Sequence, residues 1–133
     1  MTGQTAAVFT GRVHGTVQLR HTETGTPVAR FWLHHLPRVY DHRARQWTDG
    51  ALVPVICTVH GAAARHAAET LTDDVHVMAT GDLRITPSPH APGQQQLYLD
   101  HARVGIDLTH HVAYIDATLP GVLAGQPPAR AAA

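Results

Sequence analysis

Lysine is absent from this sequence: its ten basic residues are all arginine, and ten Asp and Glu balance them to a formal net charge of zero at pH 7 with histidine neutral. Neutrality argues against a protein that grips nucleic acid by bulk charge, because phosphate contacts supply most non-specific affinity. Cysteine occurs once, at Cys57. A lone cysteine excludes an internal disulfide and fits a reducing compartment, and its place in the apolar run LVPVICTVH reads as a small core residue rather than a reactive thiol. No segment has the roughly 18 consecutive apolar residues of a membrane span. The N-terminal stretch MTGQTAAVFTGR lacks a basic region followed by a long apolar one, so a cytoplasmic location without a membrane partner is expected. Catalytic signatures are missing too. No nucleophile elbow, phosphate-cradling loop or paired-carboxylate constellation occurs, and no CxxC or HExxH, so neither an enzyme nor a bound cofactor or metal is expected.

Histidine is abundant, at twelve residues. The doublets His34–His35 and His110–His111 and the single residues His60 and His66 are a common ligand type for zinc or nickel. Adjacent residues of a strand point to opposite faces, however, so each doublet offers one ligand at best to a given site. The plainer reading is histidine standing in for lysine and other polar residues over the surface. Histidine titrates near pH 6.5 when unperturbed, so mild acidification turns the chain cationic and is expected to tighten binding to phosphate. Charge is also uneven along the chain. Residues 1–66 hold seven arginines against Glu23, Asp41 and Asp49, whereas residues 67–133 hold three arginines against seven acids.

With 44% apolar residues, 133 residues can bury one core. Residues 6–20 carry Val8, Phe9, Val13, Val17 and Leu19 interrupted by Gly11 and Gly15, which suits a long bent strand with a bulge. The turn HTETGTP leads to VARFWLHHL, whose alternation puts Phe31 and Leu33 inward and Trp32 outward, toward a groove, or else into the core or a subunit interface. The next strand presents Val53, Val55, Cys57 and Val59 on one face, small and β-prone as a closed barrel interior requires. Pro54 removes a ladder donor and implies an edge position or a bulge. The alanine-rich stretch 61–71 reads as the one helix. VHVMATGDLRI follows, with Val75, Val77 and Ala79 on one face and Gly81 at a barrel bend; TPSPHAPGQQQ is a proline-rich hairpin loop, and LYLDHARVGIDL is the last strand. Three strands, a helix and two strands predict an all-β fold with one helix, the five-stranded OB-fold barrel. Residues from 109 onward either extend the last strand or begin a partner-contacting segment.

Between the second and third strands lies a loop with Arg38, Tyr40, Arg43, Arg45 and Trp47. It offers cations to phosphates and flat rings to unpaired bases, the two ingredients of single-strand binding.

In this order of motifs the chain resembles the bacterial single-stranded DNA-binding proteins, most closely their actinobacterial form, over roughly residues 7–116. The resemblance rests on FTGRV, on QLR with Gly25 and VARF, on PRVYD and QW followed by DG, then on CTVH, AAETL, ATGDL and RVGIDL. It needs no insertion between Gly11 and Gly81. It implies an OB-fold DNA-binding domain over residues 1–116, a homotetramer or, as the alternative, a dimer, and a role in protecting single strands during replication, repair or recombination. Arg20, Arg30 and Arg38 match or neighbour positions that contact the strand in that family, Tyr40 matches a stacking aromatic and Trp47 the loop tryptophan. Arg43, Arg45 and Arg84 are additional phosphate candidates, and His60 can still stack. Each arginine also has a plain reading as a solvated surface residue, and Tyr40 as a ring packed on its own loop.

Departures from the family pattern are as informative. Pro54, Ile56 and His60 stand where the family carries an aromatic, an arginine and a second aromatic, and the loop SPHAPGQQQ is shorter and less basic. Stacking is worth roughly 1–3 kcal/mol per base, so these changes are expected to weaken binding. Residues 117–133 read as a short disordered tail without the family's acidic tip, so recruitment of partners through that tip is not expected. The alternative to a DNA binder is an OB-fold scaffold that keeps the barrel and has lost most affinity.

Overall fold

The chain order is β1 (Thr5–His21), β2 (Pro27–His35), β3 (Arg38–Asp41), β4 (Gln46–Asp49), β5 (Val53–His60), α1 (Ala62–Thr70), β6 (His76–Pro87) and β7 (Gln95–Ile106). The computed structural model describes residues 5–115, so the tail expected at 117–133 lies outside the described residues. Five strands close into a barrel in the order β1-β2-β5-β7-β6, and β3 and β4 form a separate two-stranded ribbon. This is the OB-fold barrel with one helix that the sequence predicts.

The barrel closes because β1 is used twice. Its first half, Thr5 to Arg12, pairs antiparallel with β6, and its second half, Arg12 to His21, pairs with β2. The bend falls at the expected glycines. Register shifts between His14 and Gln18, Gly15 takes φ 78°, and a Cβ on Gly11 would collide with the His34 carbonyl. At Gly81 a Cβ would lie 2.7 Å from the Asp100 carbonyl oxygen, beside a second register shift between Thr80 and Asp82. Both are places where one backbone crosses close to another, so no side chain fits.

Alternation does the rest. Phe31, Leu33, Val55, Cys57, Val59, Val77 and Leu99 are all buried within the barrel. Full burial of Phe31 or Leu33 is worth roughly 1.5–3 kcal/mol each. The cost of taking a thiolate out of water pushes the Cys57 thiol up to about 12, so Cys57 is the inert core residue expected. The helix buries Ala64 and Ala67, with Leu71 just beyond it, against the barrel interior.

Four expectations change in detail. The aromatic loop is a β-ribbon, not an irregular loop. Pro54 is not on an edge strand, since β5 lies between β2 and β7; it is tolerated because the parallel ladder to β7 runs only from Val55 to Cys57 and starts one residue beyond it. The proline-rich connection is shorter than expected, because pairing persists to Thr86↔Gln96 and Pro87↔Gln95. Finally, of the two readings offered for residues from 109 onward, extension of the last strand falls away, because β7 ends at Ile106: Asp107 Oδ1 accepts the Thr109 N–H at 2.9 Å, and His111 folds back so that its Nε2 accepts the His76 backbone N–H at 2.8 Å.

Candidate nucleic-acid interface

The ribbon is held by turn chemistry and cross-strand pairs rather than by burial. Asp41 Oδ1 accepts the N–H groups of Arg43 at 2.9 Å and Ala44 at 3.2 Å, and Arg45 takes a left-handed φ of 53° to bring the chain back. At its base the Gly50 N–H donates to the Pro37 carbonyl at 2.7 Å. Register places Arg38 opposite Asp49 and Tyr40 opposite Trp47, so these four side chains share one face. Tyr40 and Trp47 meet edge to face, with centroids 5.6 Å apart and planes at 76°, and His42 adds a third ring 5.0 Å from Tyr40. Tyr40 is 42% and Trp47 61% exposed. The ribbon makes only marginal contact with the barrel strands, so these rings stand in solvent on a projecting arm.

The predicted arginines fall into two states. Arg38 is engaged: its Nη1 donates to Asp49 Oδ1 at 2.7 Å and its Nη2 to the Trp47 carbonyl at 3.2 Å, which stiffens the ribbon and takes up its charge. Arg84 is engaged as well, with Nε at 2.8 Å from Asp100 Oδ2, Nη2 at 3.3 Å from Oδ1, and the guanidinium 4.1 Å from the Tyr98 ring centroid. That bond holds the Asp100 carboxyl below the usual range and raises Arg84. By contrast, Arg20, Arg30, Arg43 and Arg45 make no ion pair among the described residues. Arg43 and Arg45 flank the ribbon tip.

Arg20 and Arg30 sit on the outer face of the barrel. Register runs Arg20↔Val28↔His60 in one row and Gln18↔Arg30↔Thr58 in the next, so His60 joins the same face. Gln18, Arg20, Val28 and Arg30 line a shallow hollow of about 210 Å³. The His60 ring stacks on His101, with centroids 4.8 Å apart. The nine predicted residues therefore do not form one cluster. Five lie on the ribbon, Arg20, Arg30 and His60 on the β1-β2-β5 face, and Arg84 across β7.

Trp32 is on the outer face, 39% exposed, as the alternation with Phe31 and Leu33 puts it, and not in the core. Tyr98 also faces out, a position readable from LYLD, where Leu97 and Leu99 alternate with it. Among the histidines, His14 stacks on His34 with centroids 4.2 Å apart and His76 on His110 at 3.9 Å. Burial, the neighbouring His14 and Arg12 lower His34, and burial, His110, His111 and Arg12 lower His76. No group of three or more His, Cys, Asp or Glu that could hold a metal ion occurs among the described residues.

No protein-family model matches the chain. Relatives are nonetheless clear. A protein of Mycobacterium leprae named single-stranded DNA-binding protein is 33% identical over 84 residues, 63% of this chain and 50% of that one. Single-stranded DNA-binding protein 2 of Streptomyces coelicolor is 30% identical over 120 residues, 89% of this chain and 60% of that one. The chain thus spans half to three fifths of the length of these relatives. Among solved structures, the small single-stranded DNA-binding protein of Streptomyces coelicolor superposes with a TM-score of 0.70 at 23% identity, covering 83% of this chain and all of that one.

Proposed function

We propose that this chain, a homologue of the actinobacterial single-stranded DNA-binding proteins, itself binds single-stranded DNA without sequence readout. The observation that carries the reading is the solvent-exposed Tyr40–Trp47 pair on a projecting ribbon whose tip bears two unpaired arginines, Arg43 and Arg45. Every base has a π-face, so rings recognise unpaired bases of any sequence, while guanidinium groups hold phosphates. The mechanism is passive. Bases lie on Tyr40 and Trp47, phosphates on Arg43 and Arg45, and the strand continues over the barrel face at Arg20, Arg30 and His60. Arg38 acts through the Asp49 pair that positions the ribbon, and Arg84 through Asp100. Protection of exposed strands in replication, repair or recombination follows from such binding, as does association with the nucleoid. A homotetramer would let one strand run over several barrels.

A second reading, an OB-fold scaffold of low DNA affinity, draws on two observations. Arg38 and Arg84 are spent in ion pairs, and the outer face of β5 carries Pro54, Ile56 and His60. The test is gel retardation with a thymidine oligomer of about 30 nucleotides, roughly two sites at the upper end of OB-fold site sizes. Retardation at low salt that weakens as salt rises supports DNA binding. Absence of any complex at low salt overturns it in favour of the scaffold.

A further inference from the structure

Beyond β7 the chain turns back onto the end of the barrel. Residues 107–111 form a compact turn: Asp107 Oδ1 accepts the Thr109 N–H at 2.9 Å, and the Asp107 carbonyl accepts the His110 N–H at 3.2 Å. Two hydrogen bonds tie this turn to β6, and both go to His76. The Asp107 N–H donates to the His76 carbonyl at 3.0 Å, and the His76 N–H donates to His111 Nε2 at 2.8 Å. Apolar burial adds little, since Leu108 within the turn and Val112 just after it are 69% and 76% exposed.

The second of these bonds exists in one protonation state only. A backbone N–H donates and cannot accept, so His111 Nε2 must present a lone pair, and the neutral ring carries its proton on Nδ1. A proton added at Nε2 makes both ring nitrogens donors and sets two N–H groups against each other. The surroundings push the same way. The His76 ring stacks on His110 with centroids 3.9 Å apart and lies 5.5 Å from that of His111. Arg12 from β1 and His34 from β2 line the same hollow of about 320 Å³ as His76 and His110. Two carboxylates oppose them: Asp74, from the turn before β6, already paired with Arg12 at 3.0 Å, and Asp107, whose Oδ1 is bonded to Thr109. Burial together with His110, His111 and Arg12 holds the His76 ring below the ordinary histidine range, against the pull of Asp74. Full protonation would set four imidazolium groups and Arg12 against those two acids.

We propose that His111 is a proton-operated latch: as the neutral ring it pins residues 107–111 to the start of β6, and on protonation it releases them. The opened turn leaves the His76 N–H to water, parts the His76–His110 stack and uncovers the hollow that His110 helps to line. Such a device acts on the free protein and does not depend on DNA binding.

The His76 amide reports the latch directly. In isotope-labelled full-length protein, NMR of the ring nitrogens should show the Nδ1–H tautomer of His111 at about pH 8, and the His76 amide resonance should titrate together with the His111 ring as pH falls to about 5.5. Amide exchange at His76, corrected for the intrinsic pH dependence of exchange, should lose about 2- to 12-fold of its protection over that range from the lost bond alone. His111→Gln supplies an acceptor oxygen that does not titrate and should keep the protection at both pH values. His111→Phe has no acceptor and should lack it at both. A His76 amide whose shift and protection stay constant while the His111 ring titrates overturns the latch, as does native-like protection in His111→Phe. Protection in His111→Gln that falls as in the native chain assigns the change to the other histidines and overturns it too. The amides of β2, in the barrel wall, should stay protected throughout; their loss along with His76 would mean that acid opens the whole barrel, which also overturns the latch.

Discussion

Replacing Trp47 by alanine should damage DNA binding far more than it damages the fold. Trp47 is 61% exposed, packs edge to face on Tyr40 and sits on a ribbon that barely touches the barrel. Loss of the ring removes at most the aromatic pair, about 0.5–1.5 kcal/mol, and that loss loosens the ribbon locally without opening the barrel. Removal of one stacked base costs about 1–3 kcal/mol of affinity, or about 5- to 140-fold in Kd. The assay is a fluorescence-anisotropy titration with labelled oligothymidine at several salt concentrations, beside urea denaturation followed by far-UV circular dichroism. Trp47→Ala should raise Kd at every salt concentration by the same factor, because a ring displaces no counterions. The double variant Arg43→Ala/Arg45→Ala should behave differently, lowering the slope of log K against log salt by up to about 1.4, or about 0.7 for each single-strand phosphate that is no longer neutralised. Two results would refute this reasoning: a fall in the urea midpoint of Trp47→Ala that matches its loss of affinity, or a salt slope that follows the ring and not the arginines.

Other expectations concern the barrel. Gly11→Ala places a methyl group against the His34 carbonyl where β1 turns from one partner to the other, and should destabilise by roughly 1–3 kcal/mol in urea melts; an unchanged midpoint would show that the crossing can widen freely. Cys57, buried with its thiol pushed up to about 12, should resist a thiol-reactive dye in native protein and react once urea unfolds it, whereas fast labelling of the native chain would contradict its core position. Acidification should act in two opposed ways. His34 and His76 are depressed in the folded state, so their contribution to stability is complete above the ordinary histidine value near 6.5 and is lost as pH falls through their lower folded values. Affinity for oligothymidine should meanwhile rise as exposed histidines charge. A Kd that is flat between pH 8 and pH 6, or a melting temperature that increases on acidification, would contradict one or the other.

Most of the barrel was legible because its interior obeys a period of two. Val55, Cys57 and Val59 alternate with outward positions, Phe31 and Leu33 do the same, and Gly11, Gly15 and Gly81 mark the bends. The ribbon strands RVYD and QWTD were not legible as strands, since neither buries a face and their pairing depends on the Asp41 turn and the Tyr40–Trp47 contact. The state of the arginines was equally hidden. Arg38 and Asp49 are 11 residues apart and Arg84 and Asp100 are 16 apart, and only the strand register brings them together. Residue type marked them as cations; the fold decided which remain available. Tyr98 is the opposite case, since the alternation in LYLD already turned it outward. The stacked histidines depend on contacts between distant strands, and no spacing in the sequence announces them.

The parallel joint between β5 and β7 runs over three pairs only, Val55↔Leu97, Ile56↔Tyr98 and Cys57↔Leu99, whereas every other joint of the barrel is antiparallel and longer. The cylinder is thus two leaves, β1-β2-β5 and β6-β7, hinged on the shared first strand and fastened along a short clasp. If the wall breathes, it parts at that clasp, and amide exchange at residues 55–57 and 97–99 should report the parting. The middle pair of the clasp is Ile56 and Tyr98, so the outward side chains of these two residues sit on the seam where the leaves meet.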